Sequence, residues 1–232
     1  MLRCGIGVRR AANGSATMEE AFARVCRFLY DELRNPDGSR SCALVRAYKT
    51  HTYAQLVPEL QRFARKQMGG ASPAAEMKCL TLMASVGDRP EWCDRRRSAG
   101  HQAIPLPRPE FVERAPMIAQ LLKQFGLDLA DVVKPRPDVV RDLEGRTYGV
   151  FFVENALGSP YIPAQQEFVV PNGIQSVLGC GASLRGGDLF AVIMFSRVAI
   201  PQDAADRFRT IALDMKSSLF FFDEDQVFSA AS

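Results

Sequence analysis

Apolar and polar residues along the first third of this chain follow two distinct periods. After Thr17, which with Glu20 forms a capping-box pattern, apolar residues recur at helical spacing and predict a helix that ends at the 35–38 turn. Residues 41–48 (SCALVRAY) alternate as a strand does, and 53–67 carry a second helical stripe. The apolar run at 77–86 (MKCLTLMASV) is typical of a strand buried on both faces. The order predicted here is helix, strand, helix, strand.

The stretch at 87–107 interrupts this regularity. It holds the chain's only tryptophan, four arginines and one of its two histidines. The prolines at 104–109 (IPLPRP) predict irregular structure at its end. A helix is predicted at 111–125, and 127–143 is predicted to be helical in part, with a break at 134–137. An excursion of this length within a compact domain is usually a lid or a binding loop.

The final third is rich in predicted strands. These are 148–153 (YGVFFV), a short edge strand at 168–170, and a hairpin formed by 174–184 and 188–198 around a glycine-rich turn. An irregular loop at 158–163 (GSPYIP) precedes the hairpin, and an amphipathic helix is predicted at 203–221.

A hairpin requires antiparallel pairing, so the predicted fold class is α+β with a central, mainly antiparallel sheet. We expect helices from both chain ends on one face of the sheet and the 87–147 insertion of helices and loops on the other. Residues 17–222 are predicted to form a single domain. They lie between a flexible lead-in at 1–16 and a C-terminal tail at 223–232.

Composition narrows the classes of protein that fit. The 232 residues are 47% hydrophobic and 24% charged, with a net charge of +3, so nothing in the charge balance indicates nucleic-acid binding. The first residues lack the apolar segment of a secretion signal, and no run of 18 apolar residues occurs. The six cysteines show no zinc-type spacing, and Cys26, Cys42 and Cys79 lie in apolar patterns. We therefore expect a cytoplasmic protein with reduced thiols and no membrane span.

Arg46 is the first candidate for a ligand contact. The alternation of the 41–48 strand places it on one face with Cys42, Leu44 and Tyr48, where a guanidinium needs a carboxylate or an anionic ligand. A carboxylate partner could be Glu76, Asp88 or Glu154. The alternative is an anion-binding corner formed by Arg46 with Lys49 and completed by Arg95 or Arg97.

The two histidines are candidates for a ligand or metal contact. His51 is predicted just past a strand end and His101 at the end of the arginine-rich loop, and imidazole can bind a ligand, a metal or haem iron. Surface or capping roles are the alternative. Trp92 could stack on a planar ligand or anchor its loop, and the hydroxyl of Tyr161 could face a pocket.

Four segments together resemble a GAF-type sensor domain: the strand at 42–46, the turn at 185–188, the strand at 189–195 and the helix from Asp203. The segments at 48–51 (YKTH), 98–101 (SAGH) and 158–163 (GSPYIP) resemble bacterial GAF-like sensory modules that are fused to histidine kinases or cyclases. The resemblance implies a GAF/PAS-like sheet, and a pocket for a small molecule or cofactor that we expect between the sheet and the loops at 87–107 and 158–163. It also implies a signal that leaves through the terminal helices to a signalling partner or fused output domain, so we expect an excised module or a stand-alone sensor. Separately, the apolar residues left over on the last helix suggest a homodimer, although such a stripe is more often core packing.

Besides a pure interaction domain whose arginine-rich loop docks a partner protein, two other functions stay open. Cys93 adjoins Trp92 and precedes three arginines, so a thiol- or histidine-dependent enzyme on a GAF-like scaffold is one alternative, although the sequence favours a protein that is not an enzyme. A haem-binding gas or redox sensor that uses His51 or His101 is the other, and no CxxCH attachment motif supports it.

Overall fold

The computed structural model describes residues 2–134, 148–223 and 226–229. The strands are β1 (Cys42–Thr52), β2 (Lys78–Gly87), β3 (Ala103–Leu106), β4 (Tyr148–Val153), β5 (Ser176–Ser183) and β6 (Leu189–Ser196). The helices are α1 (Leu2–Ala12), α2 (Met18–Glu32), α3 (Pro58–Gln67), α4 (Pro109–Val112), α5 (Pro116–Gln124), α6 (Leu129–Val133), α7 (Gln202–Asp206) and α8 (Phe208–Leu219). Short 3-10 turns lie at Tyr53–Gln55, Pro90–Trp92 and Arg95–Arg97.

The six described strands form one sheet in the order β3-β2-β1-β6-β5-β4, and every neighbouring pair is antiparallel. The α+β class with a mainly antiparallel sheet is therefore confirmed. β1 lies at the centre, and its two neighbours come from distant parts of the chain. The predicted hairpin is β5 and β6, joined across Gly186 and Gly187, whose positive φ values suit a tight turn.

Each face of the sheet has its own core. One contains α1, α2 and α8 from the two chain ends, packed on inward side chains such as Val45, Ala47 and Met194. The other contains α4, α5 and α6 from the long insertion, packed on Leu44, Tyr48 and neighbouring residues. The expected division between terminal helices and insertion is thus the observed one.

The β1 strand departs from the predicted alternation at its start. Ala43 is an extra residue opposite β6, because Cys42 pairs with Ser196 and Leu44 with Phe195. This bulge moves Cys42 to the core of the terminal helices, whereas Leu44 and Tyr48 keep the predicted face. β1 also continues to Thr52, so the prediction that His51 lies beyond the strand was wrong.

Residues 2–12 form α1 where a flexible lead-in was predicted. Val8 and Ala12 are buried one helical turn apart. Gly5 and Gly7 lie so close to Asp214 and Phe28 that a Cβ atom at either glycine would meet those side chains. The two glycines permit close packing of α1 against its neighbours, which is a tertiary effect.

Prolines divide several predicted helices. Pro58 and Pro116 occupy first-turn positions of α3 and α5, so each helix begins later than its apolar stripe suggested. Conversely, Pro105 lies inside β3, although the prolines at 104–109 predicted irregular structure there. An edge strand tolerates proline because one side of its backbone needs no sheet partner.

The predicted edge strand at 168–170 is instead part of a π-helical turn, Gln165–Val169. The side chain of Gln165 holds this segment in a closed loop, because its amide group bonds to Gly158 N, Ala156 O and Ile162 O. The helix predicted at 203–221 is divided into α7 and α8. Of the region 127–143, α6 is helical as predicted, and 135–143 lies outside the described residues.

Candidate functional site

A chamber of about 800 Å³, open to solvent on one side, lies between the sheet and the insertion. Its floor consists of side chains of β1 and β6 that point away from the terminal helices, including Leu44, Arg46 and Ile193. Both predicted binding loops contribute to its walls, from Trp92 in one to Ile162 in the other. Small-molecule sites in proteins have volumes of roughly 300–1,000 Å³ and mostly apolar walls, so this chamber has the size of a ligand site.

Aromatic rings form one wall. The ring of Phe168 contacts Trp92 at 5.6 Å between centroids and Phe195 at 4.9 Å, both edge to face. Gly87 makes room for the indole, since a Cβ atom there would lie 2.9 Å from Trp92 Cε3. Trp92 therefore anchors its loop, and it also lines the chamber.

The opposite wall is helix α5. Leu121 and Leu122 line the chamber, and Phe125 follows at the end of the helix. Phe125 rests on a strip of the sheet without side chains, where a Cβ atom at Gly149 or Gly181 would lie 2.7 Å or 2.8 Å from its ring. Glycine inside a strand is the sequence signal for such a close approach, and it could have identified this wall.

Arg46 is half-buried on the chamber floor. Its Nε donates to Ser85 Oγ at 3.4 Å, and its guanidinium also interacts with the Tyr48 hydroxyl. Among the described residues it has no carboxylate within ion-pair distance. The expected partners are placed elsewhere: Asp88 accepts from Tyr30 and Arg197.

His101 and Arg97 lie at the mouth of the chamber, both exposed. Removal from water by the surrounding protein, together with the positive charge of Arg46, lowers the pKa of His101. Its imidazole is therefore neutral at pH 7 and can act as a hydrogen-bond donor and acceptor. Tyr161 also lines the chamber and is partly exposed.

Lys49 and His51 do not line the chamber, because alternate residues of β1 face opposite sides of the sheet. Lys49 and Lys78 both bond to Asp188 at 2.7 Å. Burial alone would raise the pKa of Asp188, but the two ammonium groups outweigh it and lower that pKa. The cluster is a buried ion network between β1, β2 and the hairpin turn.

His51 is 1% exposed, and neither ring nitrogen has a hydrogen-bond partner within 3.5 Å among the described residues. Burial, and then the positive charge of Lys49, lower the pKa of His51 to about 3. His51 and His101 lie on opposite sides of the sheet, so they do not form one metal site. No cluster of metal-binding side chains occurs within the ranges that the structure describes.

Arg95 points away from the chamber although its neighbour Arg97 lines it. Its guanidinium is 5% exposed and forms a two-point ion pair with Glu19, at 2.5 and 3.1 Å, and a longer one with Glu59 at 3.3 Å. Arg95 thus joins the loop to α2 and α3. Arg95 therefore does not form the predicted anion-binding corner with Arg46.

All six cysteines are free thiols. Burial raises the pKa of Cys79 and of Cys180 to about 12, which keeps both thiols protonated and unreactive. Cys93 is exposed, and its Sγ contacts Gly87 O at 3.2 Å and lies outside the chamber. No cysteine is among the described residues that line the chamber.

No protein-family model matches this chain, and no curated protein matches it. The chain is similar to a GAF domain. That solved structure is from the phosphoenolpyruvate-protein phosphotransferase of Acinetobacter, with 14% identity, a TM-score of 0.46, and coverage of 94% of this chain and 91% of that one.

A second similar structure is an N-acylhomoserine-lactone-dependent transcription factor of the LuxR family from Burkholderia cenocepacia. It shows 12% identity and a TM-score of 0.41, with coverage of 95% of this chain and 93% of that one. No helix among the described residues is long and apolar enough to span a membrane.

Proposed function

We propose that this chain is a cytoplasmic sensory domain that binds a small molecule in the chamber between the sheet and the insertion. One observation supports the proposal: a chamber of about 800 Å³, lined mainly by apolar side chains with a few polar groups among them. Apolar walls favour binding through the hydrophobic effect, and isolated polar groups in such walls orient a ligand.

The residues proposed to contact the ligand are those of the predicted set that line the chamber. They are Arg46 on the floor, Trp92 in the aromatic wall, and Arg97, His101 and Tyr161 around the mouth. Lys49, His51 and Arg95 are assigned structural roles instead, because each is buried away from the chamber. The ligand would enter and leave the chamber between the two loops that carry Trp92 and Tyr161.

The output of the sensor is proposed to pass through the terminal helices. α1 and α8 pack against each other, with an ion pair between Arg9 and Asp214 at 3.1 Å. A signalling partner or a fused output domain, and a homodimer, are part of this proposal. Substitution of the exposed Leu213 on α8 by aspartate, followed by light scattering, tests whether that helix carries a dimer contact.

The direct test of the ligand site is a binding screen that uses the single tryptophan. Because Trp92 lines the chamber, an occupant should change its emission, and we expect matching increases in melting temperature. An absorption spectrum of the purified protein tests the haem alternative, since haem held by His101 would give a Soret band that His101→Leu removes.

Matched variants make the screen decisive. Ile104→Trp places an indole in the chamber from the edge strand, whereas Val170→Trp places one at an exposed site outside it. We expect the first to abolish the thermal shifts and the second to leave them unchanged. Equal shifts in both variants would mean that ligands bind elsewhere and would refute the proposed site.

A further inference from the structure

Arg46 differs from the other charged side chains around the chamber. Among the described lining residues, the remaining charged groups (Arg89, Glu91, Arg97, Arg114 and Glu167) are all solvent-exposed. Arg46 alone of these is half-buried, in the middle of the central strand. The charges at the mouth are solvated with or without a ligand, but the charge on the floor is partly removed from water.

The groups around the Arg46 guanidinium are neutral. Ser85 and Tyr48 contribute hydroxyls, and the nearby His101 is uncharged at pH 7. Hydroxyl groups can position a guanidinium, yet they do not compensate its charge. A guanidinium has five N–H donors, and the hydrogen bond to Ser85 uses one of them.

The apolar surroundings raise the cost of leaving this charge uncompensated. Arg46 pairs across the sheet with Ile193 of β6, and Leu44 and Phe195 lie one row away. A charge that is partly removed from water is stabilised by an anion that makes charge-assisted hydrogen bonds, and a carboxylate matches the two-pronged geometry of arginine. One guanidinium among neutral groups favours an anion of a single charge over a dianion.

We propose, on the basis of the ligand-binding function above, that the ligand is a small monocarboxylate with an apolar body. Its carboxylate bonds to Arg46 on the chamber floor, and its body lies between α5 and the wall formed by Trp92, Phe168 and Phe195. Arg46 thereby determines specificity for acids over their neutral analogues.

The test compares each acid with its methyl ester. The panel is octanoate, decanoate, 4-phenylbutanoate and indole-3-acetate, each with the corresponding ester, titrated into the full chain by calorimetry and read in parallel by Trp92 emission. The ester keeps the apolar body and removes the charge. For at least one pair we expect the acid to bind about 10- to 100-fold more tightly, the range typical of a hydrogen bond to a charged group.

Variants of Arg46 identify the source of this preference. Arg46→Met keeps most of the side-chain volume, and we expect it to reduce the preference for the acid to within about threefold. Arg46→Lys keeps the positive charge but lacks the two-pronged donor geometry of a guanidinium, so an intermediate preference for the acid is expected. The control is Arg108→Met, an exposed arginine outside the chamber, which should bind as the unmodified protein does.

The outcomes separate this inference from the function on which it rests. Esters that bind as tightly as acids, with Ile104→Trp still abolishing both, would overturn the monocarboxylate inference and leave the ligand site standing. Acids preferred equally by the unmodified protein and by Arg46→Met would overturn the role of Arg46. If no member of the panel binds, the monocarboxylate inference fails, whereas the ligand site itself stands or falls by the Ile104→Trp and Val170→Trp comparison.

Discussion

The imidazole of His51 packs against the ring of Phe228, with 5.1 Å between the ring centroids. The guanidinium of Arg95 lies 5.8 Å from the same ring. Two residues that the sequence suggested as ligand contacts are thus held together by the C-terminal segment. That segment closes the side of the sheet opposite the chamber, and it bonds to α2 through Ser229 N and Glu19 at 3.0 Å.

His51 should make the stability of the protein depend on pH. In the unfolded chain its pKa is the ordinary 6.5, whereas burial lowers it to about 3 in the folded protein. The unfolded state therefore binds the proton first, and stability falls as the pH drops from 6.5 towards 3. We expect this residue to contribute a loss of about 2 kcal/mol between pH 7 and pH 5.

Urea unfolding of the unmodified protein and of His51→Leu at several pH values checks this expectation. The unmodified protein should lose stability relative to His51→Leu as the pH falls from 7 to 5, because leucine has no proton to bind. His101→Leu, at the exposed mouth, should change the pH dependence less. Parallel curves for the unmodified protein and His51→Leu would contradict the assignment.

Removal of Arg95 should release the C-terminal segment. Arg95→Ala leaves the buried carboxylate of Glu19 without its guanidinium, and removing one partner of a buried pair costs about 3–5 kcal/mol. Hydrogen exchange at 226–229 should accelerate. Arg97→Ala is the control, because Arg97 belongs to the same turn but is exposed, and about 0.5 kcal/mol or less is expected. Similar exchange in both variants would show that Arg95 does not hold the segment.

A methyl group at Gly181 should disturb the wall of the chamber. Its Cβ atom would lie 2.1 Å from Phe190 O and 2.8 Å from the ring of Phe125, so the strands or the ring must move. We expect Gly181→Ala to destabilise the protein by about 1–3 kcal/mol, measured by thermal and urea unfolding. Gly100→Ala, where no atom lies within 4 Å, should be neutral, and equal stability of the two variants would contradict the packing.

Asp188 should be required for the buried pair of lysines. Asp188→Asn leaves two ammonium groups without their shared carboxylate, and we expect a loss of about 3–5 kcal/mol at pH 7. Because the folded pKa of Asp188 is lowered, its contribution is present above the ordinary pKa near 3.8 and is lost as the pH falls below it. The two proteins should therefore become more alike in acid.

Asp203→Asn is the control for Asp188. Asp203 pairs with Arg207 at 3.2 Å on an exposed helix surface, and such pairs contribute about 1 kcal/mol or less. Equal losses in the two variants at pH 7 would show that burial does not strengthen the Asp188 cluster. Unfolding in urea at pH 7 and pH 3 measures both effects.

Much of the fold could be predicted because local patterns and tertiary structure agree there. The N-cap of α2 is an example: Thr17 Oγ1 accepts from Glu20 N at 3.2 Å, and α2 begins at the next residue. The Glu20 carboxylate accepts from Ala16 N at 2.8 Å, so the second bond of a capping box is not formed to Thr17. The hairpin at 185–188 is another, since its glycines supply the positive φ values that the turn requires. The strands beside it follow their apolar runs closely.

The predictions failed where a distant part of the chain decided the local structure. α1 is a helix because its glycines meet α2 and α8, and Pro105 joins a strand because β2 pairs with it. The bulge at Ala43 arises from the register of β1 against β6, and the pattern of residues within β1 does not predict that register. Each of these depends on contacts between residues far apart in sequence.

The sequence by itself determined the α+β class, the separation of terminal helices from insertion, and the residue types available for a ligand, because periodicity and turn chemistry act over a few residues. Only the tertiary structure decided which of those residues meet. Arg46 and His51 are five positions apart on one strand, yet the pleat directs one into the chamber and the other against Phe228. Arg95 and Arg97 diverge in the same way, since the charge of Arg95 is compensated by Glu19 and that of Arg97 by water.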